Sequence, residues 1–327
     1  MNNIYDIVII GSGPTGISCA IEAKKNHFST LILEKGMLTN SIYHFPTNMT
    51  FFSTSLKLEI GDIPFVSHNE KPTRMEALEY YRRVIEHWEL EIKFREEATS
   101  IDNQGNGFTV STINGTYDCN HVIVATGFYD NYRKLNVIGE DLPKVKHYYD
   151  DVHPYIQQKV MVVGAANSAC DVALETWSKG ADVTMVIRGD ELYQKIKYWI
   201  LPNIQNRIKE GSIKAYFNST VKKITETEVM IDTPEGVLSI DNDYVLAMTG
   251  YTPNYKLLAQ FGIKWDSTEL QIPIHNKDTL ESNRKGLYIA GVIKGGLRTS
   301  RYFIENTREH GEKIIQDILL KSSISEV

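Results

Sequence analysis

The feature that most constrains this chain is a glycine turn set between a strand and a helix, and it occurs twice. Residues Tyr5-Asp6-Ile7-Val8-Ile9-Ile10 form an apolar run of strand length, the kind buried on both faces in a parallel sheet. Gly11-Ser12-Gly13-Pro14-Thr15-Gly16 follows at once, then a helical stretch from Ile17 to Asn26, then a second apolar strand, Thr30-Leu31-Ile32-Leu33, ending on Glu34. Strand, turn, helix, strand and acid within about 30 residues make one βαβ nucleotide-binding unit. The first glycine of such a turn allows the tight bend, the second lets a pyrophosphate reach the backbone, and the third lets helix and strand pack closely. The helix N-terminus adds free N–H groups and a positive dipole end. Glu34 stands where a carboxylate accepts from a ribose 2′-hydroxyl and repels a 2′-phosphate, so this unit is expected to take FAD or NAD rather than NADP.

The second copy begins in mid-chain. Lys159-Val160-Met161-Val162-Val163 reads as a strand, Gly164-Ala165-Ala166-Asn167-Ser168-Ala169 as its turn, and a helix runs from about Ser168 to Lys179. The next strand, Asp182 to Ile187, ends on Arg188. Only Gly164 of the three glycines remains. A guanidinium at the strand end suits a 2′-phosphate through forked, charge-assisted hydrogen bonds, which selects NADPH over NADH. Lys195 and Lys197 are expected to add to the patch. One FAD unit and one NADPH unit in a chain imply hydride transfer from nicotinamide to flavin.

Around these units the pattern repeats. Thr73 to Glu89 reads as a helix with Met75, Leu78, Tyr81, Ile85 and Trp88 on one face. Lys93 to Val124 reads as short alternating strands ending Val122-Ile123-Val124-Ala125-Thr126-Gly127, and Gly211 to Val245 repeats them, ending Val245-Leu246-Ala247-Met248-Thr249-Gly250. Leu287-Tyr288-Ile289-Ala290-Gly291 is a last strand, and Phe303 to Leu320 is expected to be one amphipathic closing helix, with a frayed tail from Lys321 to Val327. The predicted fold is α/β, an internal duplication of one Rossmann-like architecture.

Composition narrows the function classes. At 327 residues the chain is long enough for two domains with buried cores. A formal net charge of −6 gives no global field for nucleic acid. No apolar run is long enough to span a membrane, and no secretory leader is expected from a start in which Asp6 precedes a four-residue apolar run. Three scattered cysteines, Cys19, Cys119 and Cys170, form no C-x-x-C, so a reducing cytoplasmic setting is expected. No H-E-x-x-H or clustered Cys/His spacing points to a metal.

The glycine motif, the two T-G strand ends, the internal second unit and Leu287-Tyr288-Ile289-Ala290-Gly291 together resemble the low-molecular-weight thioredoxin-reductase-like flavoproteins over essentially the whole chain. Thioredoxin reductases carry a C-x-x-C before the second Rossmann strand. Here that region reads His147-Tyr148-Tyr149-Asp150-Asp151-Val152-His153-Pro154-Tyr155, so a dithiol relay to thioredoxin is excluded. Phe45 to Thr54, Leu58 to Phe65, Lys71-Pro72-Thr73-Arg74, Trp199-Ile200-Leu201-Pro202 and Phe303-Ile304-Glu305-Asn306 are similar to the YpdA-type bacillithiol disulfide reductases. That resemblance implies two Rossmann-like domains of the three-layer ββα type, the NADPH domain (127–249) inserted into a split FAD domain (1–126 and 250–327). It further implies an NADPH-dependent FAD enzyme reducing a low-molecular-weight thiol disulfide, usually as a homo-oligomer. It implies Gly11, Gly13, Pro14, Thr15, Gly16, Glu34, Lys35, Phe45, Asn48, Thr126, Gly127, Gly291 and Val292 at the FAD site. Gly164, Asn167, Ser168, Arg188 and Lys195 are implied for NADPH.

Two departures stand out. Many members carry a cysteine where this chain has Thr15, and flavoproteins at large often have A-G-D where this chain has Ala290-Gly291-Val292. Catalytic residues are thus undetermined from sequence. An interdomain His147 or His153 could protonate a leaving thiolate, or serve only in structural hydrogen bonds. The cysteines read best as buried packing residues. Lys294, Arg298 and Arg301 form a basic cluster that could meet substrate carboxylates, an acidic electron-transfer protein, or solvent. The alternatives to a disulfide reductase are a ferredoxin- or flavodoxin-NADP reductase on the same scaffold and a non-catalytic flavin sensor.

Overall fold

A computed structural model describes residues 4–325, and the chain divides into two compact units. One takes the chain up to His44, Met49–Asn131 and everything from Tyr251. The other takes Phe45–Asn48 and Tyr132–Gly250.

In the first unit the opening strand, Tyr5–Ile10, lies between Thr30–Glu34 and Thr116–Val124, parallel to both. Ile92–Phe94 extends one side and Leu287–Ile289 the other, all parallel. The strand's two faces are both covered: Val8 and Ile10 enter one apolar cluster, Ile7 and Ile9 another. Period-two alternation with apolar residues on both faces is what a central parallel strand requires. Ala98–Gln104, Gly107–Thr112 and the start of Thr116–Val124 form an antiparallel meander, which gives the layered ββα arrangement expected.

The second unit repeats the plan. Lys159–Val163 is flanked by parallel strands Asp182–Val186 and Tyr244–Ala247, with Lys214–Tyr216 and Val145–Lys146 at the edges. A three-stranded antiparallel sheet, Thr220–Ile224, Glu228–Thr233 and Gly236–Asp241, accompanies it.

Three local expectations change. The first helix, Pro14–Lys25, starts inside the glycine turn, because Pro14 at its first position has a φ already suited to a helix. Helix Arg74–His87 buries Ala77, Tyr80, Tyr81 and Val84, whereas Met75 is exposed, so the buried stripe is rotated from the one read. The closing helix is two: Ile304–Thr307 and His310–Ser325. The break falls where the Ser18 hydroxyl donates to the Arg308 carbonyl and Gly311 packs on the first helix, a Cβ there lying 2.9 Å from Cys19 Cα. The second segment runs on through Ser325 rather than fraying from Lys321, and Glu326 and Val327 lie outside the described residues.

Candidate functional site

The first glycine turn is shaped by what a side chain would strike. Gly11 has φ +110°, and a Cβ there would sit 2.6 Å from the Ala125 carbonyl oxygen. A Cβ at Gly16 would lie 2.0 Å from the Gly11 carbonyl oxygen, so the third glycine lets the helix close onto the turn. Gly13 differs: nothing lies within 4 Å of its would-be Cβ. It caps the helix without a side-chain hydrogen bond, leaving the first N–H groups of Pro14–Lys25 unclaimed by a cap. Open backbone over an uncapped helix start fits a diphosphate.

Glu34, only 6% exposed, accepts from Ser12 N (2.8 Å), Ser12 Oγ (2.9 Å) and Gly36 N (2.8 Å). A carboxylate offers about four acceptor positions, so room remains for a ribose hydroxyl. Lys35 is ion-paired with Asp130. Thr126 and Gly127 are half-buried at the end of the neighbouring strand, and Gly127 (φ +67°) again has open space where a Cβ would be.

Sequence reading missed Thr39. It is buried with φ 47°, donates its N–H to the Ser12 carbonyl (3.2 Å), and its hydroxyl has no partner. A β-branched residue at positive φ is uncommon, and nothing in the sequence marks it.

Thr15 and Gly291 meet: a Cβ on Gly291 (φ +80°) would lie 3.4 to 3.6 Å from Thr15 side-chain atoms. The Thr15 hydroxyl is 2.8 Å from that of Thr307, which donates to the Phe303 carbonyl (2.8 Å), so Thr15 donates to Thr307. The Gly291 N–H donates to Nδ1 of buried His310 at 3.0 Å, a partner the sequence did not suggest. Burial first, then Lys294, Lys313 and His275, push His310 down to about 3, so it is neutral and its proton sits on Nε2. Val292 is half-buried beside it. Phe45 and Asn48 belong to the inserted unit, where Thr47 N donates to the Asp150 carbonyl (2.8 Å) and Asn48 Nδ2 to Glu175 Oε1 (3.1 Å).

In the second turn Gly164 has φ +141°, and a Cβ there would meet the Met248 carbonyl oxygen at 2.5 Å and Ala169 Cβ at 3.1 Å. The alanine in the third glycine's place thus packs on the surviving first glycine. Helix Asn167–Ser178 begins uncapped at Ala166. Asn167 Oδ1 accepts from Lys197 N (2.9 Å), tying the turn to the loop after Arg188. Ser168, Arg188 and Lys195 are exposed, and among the described residues Arg188 and Lys195 form no ion pair. Lys197 does not join them: its ammonium pairs with Asp171 at 2.8 Å.

His147 stacks on Tyr132 (3.8 Å, 10°), with Nε2 3.6 Å from Glu140 and Nδ1 buried without a partner. Burial lowers its pKa, against the pull of Glu140. His153 is exposed at a 3-10 turn and its N–H donates to Asp151. All three cysteines are buried, and burial pushes each thiol up to about 12. Among the described residues no group of three His, Cys, Asp or Glu could hold a metal, and no helix is long and apolar enough to cross a membrane.

Residues 8–291 match the pyridine nucleotide-disulphide oxidoreductase family. The chain is 44% identical over 313 residues to bacilliredoxin reductase Bdr of Bacillus subtilis (strain 168), covering 95% of this chain and 96% of that one. The bacillithiol disulfide reductase Bdr (YpdA) of Staphylococcus aureus superposes with a TM-score of 0.95 at 43% identity, over 98% of this chain and 99% of that one. Its Bacillus cereus counterpart does so at 0.95 and 40%, over 98% and 100%. Two glycine turns of one design and relatives along almost the full length agree: the chain is an oxidoreductase that works with a flavin and a pyridine nucleotide, and it belongs to the pyridine nucleotide-disulphide oxidoreductase family.

Proposed function

We propose that the chain is an NADPH-dependent, FAD-containing reductase of a low-molecular-weight disulfide, with bacillithiol disulfide as its acceptor. The observation that carries the reading is the contrast between two turns of like design: buried Glu34 closes the first, and exposed, unpaired Arg188 closes the second. A carboxylate suits ribose hydroxyls and repels a 2′-phosphate, and a guanidinium does the reverse. FAD is therefore assigned to the first unit and NADPH to the second. The likeness to the two bacillithiol disulfide reductases supports the acceptor.

On this reading Gly11, Gly13 and the start of Pro14–Lys25 hold the flavin diphosphate, with Glu34 on the ribose. Gly291, lacking a side chain beside Thr15, leaves the ligand's path clear. Gly164, Asn167 and Ser168 hold the second diphosphate, with Arg188 and Lys195 on the 2′-phosphate. When bound, the flavin carries two electrons from the nicotinamide to the acceptor. The overall balance is NADPH + H⁺ + RSSR → NADP⁺ + 2 RSH: the hydride's electron pair breaks the S–S bond, and solvent supplies the second proton. No thiol of this chain enters, since all three are buried and held protonated. That same observation favours the second reading, a reductase of ferredoxin or flavodoxin, which needs no protein thiol.

Anaerobic NADPH oxidation with bacillithiol disulfide, glutathione disulfide and flavodoxin separates the two. Fast turnover on bacillithiol disulfide is expected, whereas flavin reduction that drains only to flavodoxin would overturn the acceptor. Replacing Arg188 with Ala should lower the NADPH-to-NADH preference in kcat/KM at least tenfold, and an unchanged preference would remove NADPH from the second unit.

A further inference from the structure

Beyond the end of strand Leu287–Ile289 the chain turns through Gly291–Gly295 and gathers basic side chains. Lys294 is half-buried, its ammonium 5.0 Å from the centre of the Tyr302 ring, and Arg301 stands over the same ring at 5.6 Å. Backbone packs close against that ring, since a Cβ on Gly295 would lie 2.8 Å from it. His310 is tied to the turn through Gly291, and His275 is held by its Nδ1 on the Pro273 carbonyl (2.7 Å). The groups act on one another: burial, then Lys313 and Arg301, disfavour the charge on Lys294, and Lys294 in turn disfavours charge on His275 and His310.

None of the ion pairs among the described residues includes Lys294, Arg301, Lys313, His275 or His310. A half-buried ammonium without a counter-ion, as Lys294 is, costs stability rather than supplying it, while Arg301 is exposed above the same ring. The ring beneath the two cations offsets part of that cost and fixes both stems, leaving the charged heads free to bind.

We propose that Lys294 and Arg301, braced on Tyr302, form a carboxylate-binding site that selects a disulfide substrate carrying carboxylates. The inference rests on the disulfide-reductase reading and deepens it. A half-buried ammonium favours a small anion that can be desolvated with it, and a guanidinium grips a carboxylate through two parallel hydrogen bonds. Bacillithiol disulfide, with its malate carboxylates, has that chemistry.

The test uses flavin-loaded enzyme and the double variant Lys294→Met/Arg301→Gln, which keeps the aliphatic stems on Tyr302. Bacillithiol disulfide is compared with uncharged 2-hydroxyethyl disulfide. The ratio of their kcat/KM values should fall at least tenfold in the variant, through KM, with flavin content held and the thermal midpoint not lowered. L-malate should compete with bacillithiol disulfide on the wild type and lose most of that inhibition on the variant. Equal losses on both disulfides would overturn the proposal. So would release of flavin from the variant, which would give these cations to the cofactor, or loss of flavodoxin turnover with no response to L-malate, which would make them a protein docking surface. Should the wild type reduce neither disulfide, the functional reading fails separately. L-malate binding to the oxidised enzyme, followed by calorimetry, then decides the site: binding abolished by the double variant upholds it, and none to the wild type overturns it.

Discussion

A single methyl group separates two ways of breaking the first glycine turn. Gly16→Ala drives a Cβ to 2.0 Å from a backbone oxygen that cannot step aside. It should destabilise the protein by about 3 kcal/mol or more, read as a lowered urea midpoint. Gly13→Ala meets open space and a backbone φ of −71° that alanine accepts, so the flavin-free protein should melt unchanged. On the proposed function its methyl instead occupies the ground a diphosphate needs, and flavin affinity should fall at least tenfold. His310 makes a prediction of opposite character. Its folded pKa, about 3, lies below the unfolded value near 6.5, so above pH 6.5 both states are neutral and nothing is lost. As pH falls below that, the unfolded chain takes a proton the folded one refuses. Stability attributable to His310 should then decline by up to about 1.4 kcal/mol per pH unit. His310→Asn, which keeps an acceptor for the Gly291 N–H, should flatten that part of the wild-type profile in urea titrations from pH 4 to 8. Glu34 and Arg188 are legible in the sequence as positions, because each stands at a fixed offset from its own turn. Thr39 and His310 are not: one acts through a left-handed backbone, the other through a partner 19 residues away.

At the scale of elements, the signals that survived folding were the local ones. Helix Arg74–His87 opens on a reciprocal cap: Thr73 Oγ1 accepts from Glu76 N while Glu76 accepts from Thr73 N. Thr73→Ala should cost about 1 kcal/mol of unfolding free energy, measured in urea. Of the face expected for that helix, Tyr81 is buried and Leu78, Ile85 and Trp88 are half-buried, whereas Met75 is exposed and Tyr80 joins the buried side. The Tyr80 hydroxyl exchanges hydrogen bonds with Ile60, which allows so polar a side chain to be buried. The closing helix was read as one because apolar spacing continues across its break. What interrupts it is a hydroxyl on the first helix, 290 residues away in sequence, and no periodicity records that.

At the scale of the molecule, the family resemblance implied the insertion, and the structure shows how the ends of the second unit are tied. Arg133 N donates to the Gly250 carbonyl (2.9 Å) and Thr249 Oγ1 to the Arg133 carbonyl, so the inserted unit leaves the chain almost where it enters. Apart from Phe45–Asn48 it is one continuous stretch with both its sheets complete. A chain of residues 132–250 alone should therefore fold, giving an α/β circular dichroism spectrum and a cooperative melt, and a featureless spectrum would show that the insertion needs its host.

The burial of Cys19, Cys119 and Cys170 has a consequence for the protein's working life. Iodoacetamide should leave the native enzyme unlabelled and modify three sites after denaturation, by mass spectrometry. The same shielding keeps each sulfur off the sequence from sulfenic to sulfonic acid that disables exposed thiolates. On the proposed function, peroxide at doses that silence a thiol-dependent reductase should therefore spare turnover here, measured as NADPH oxidation before and after treatment.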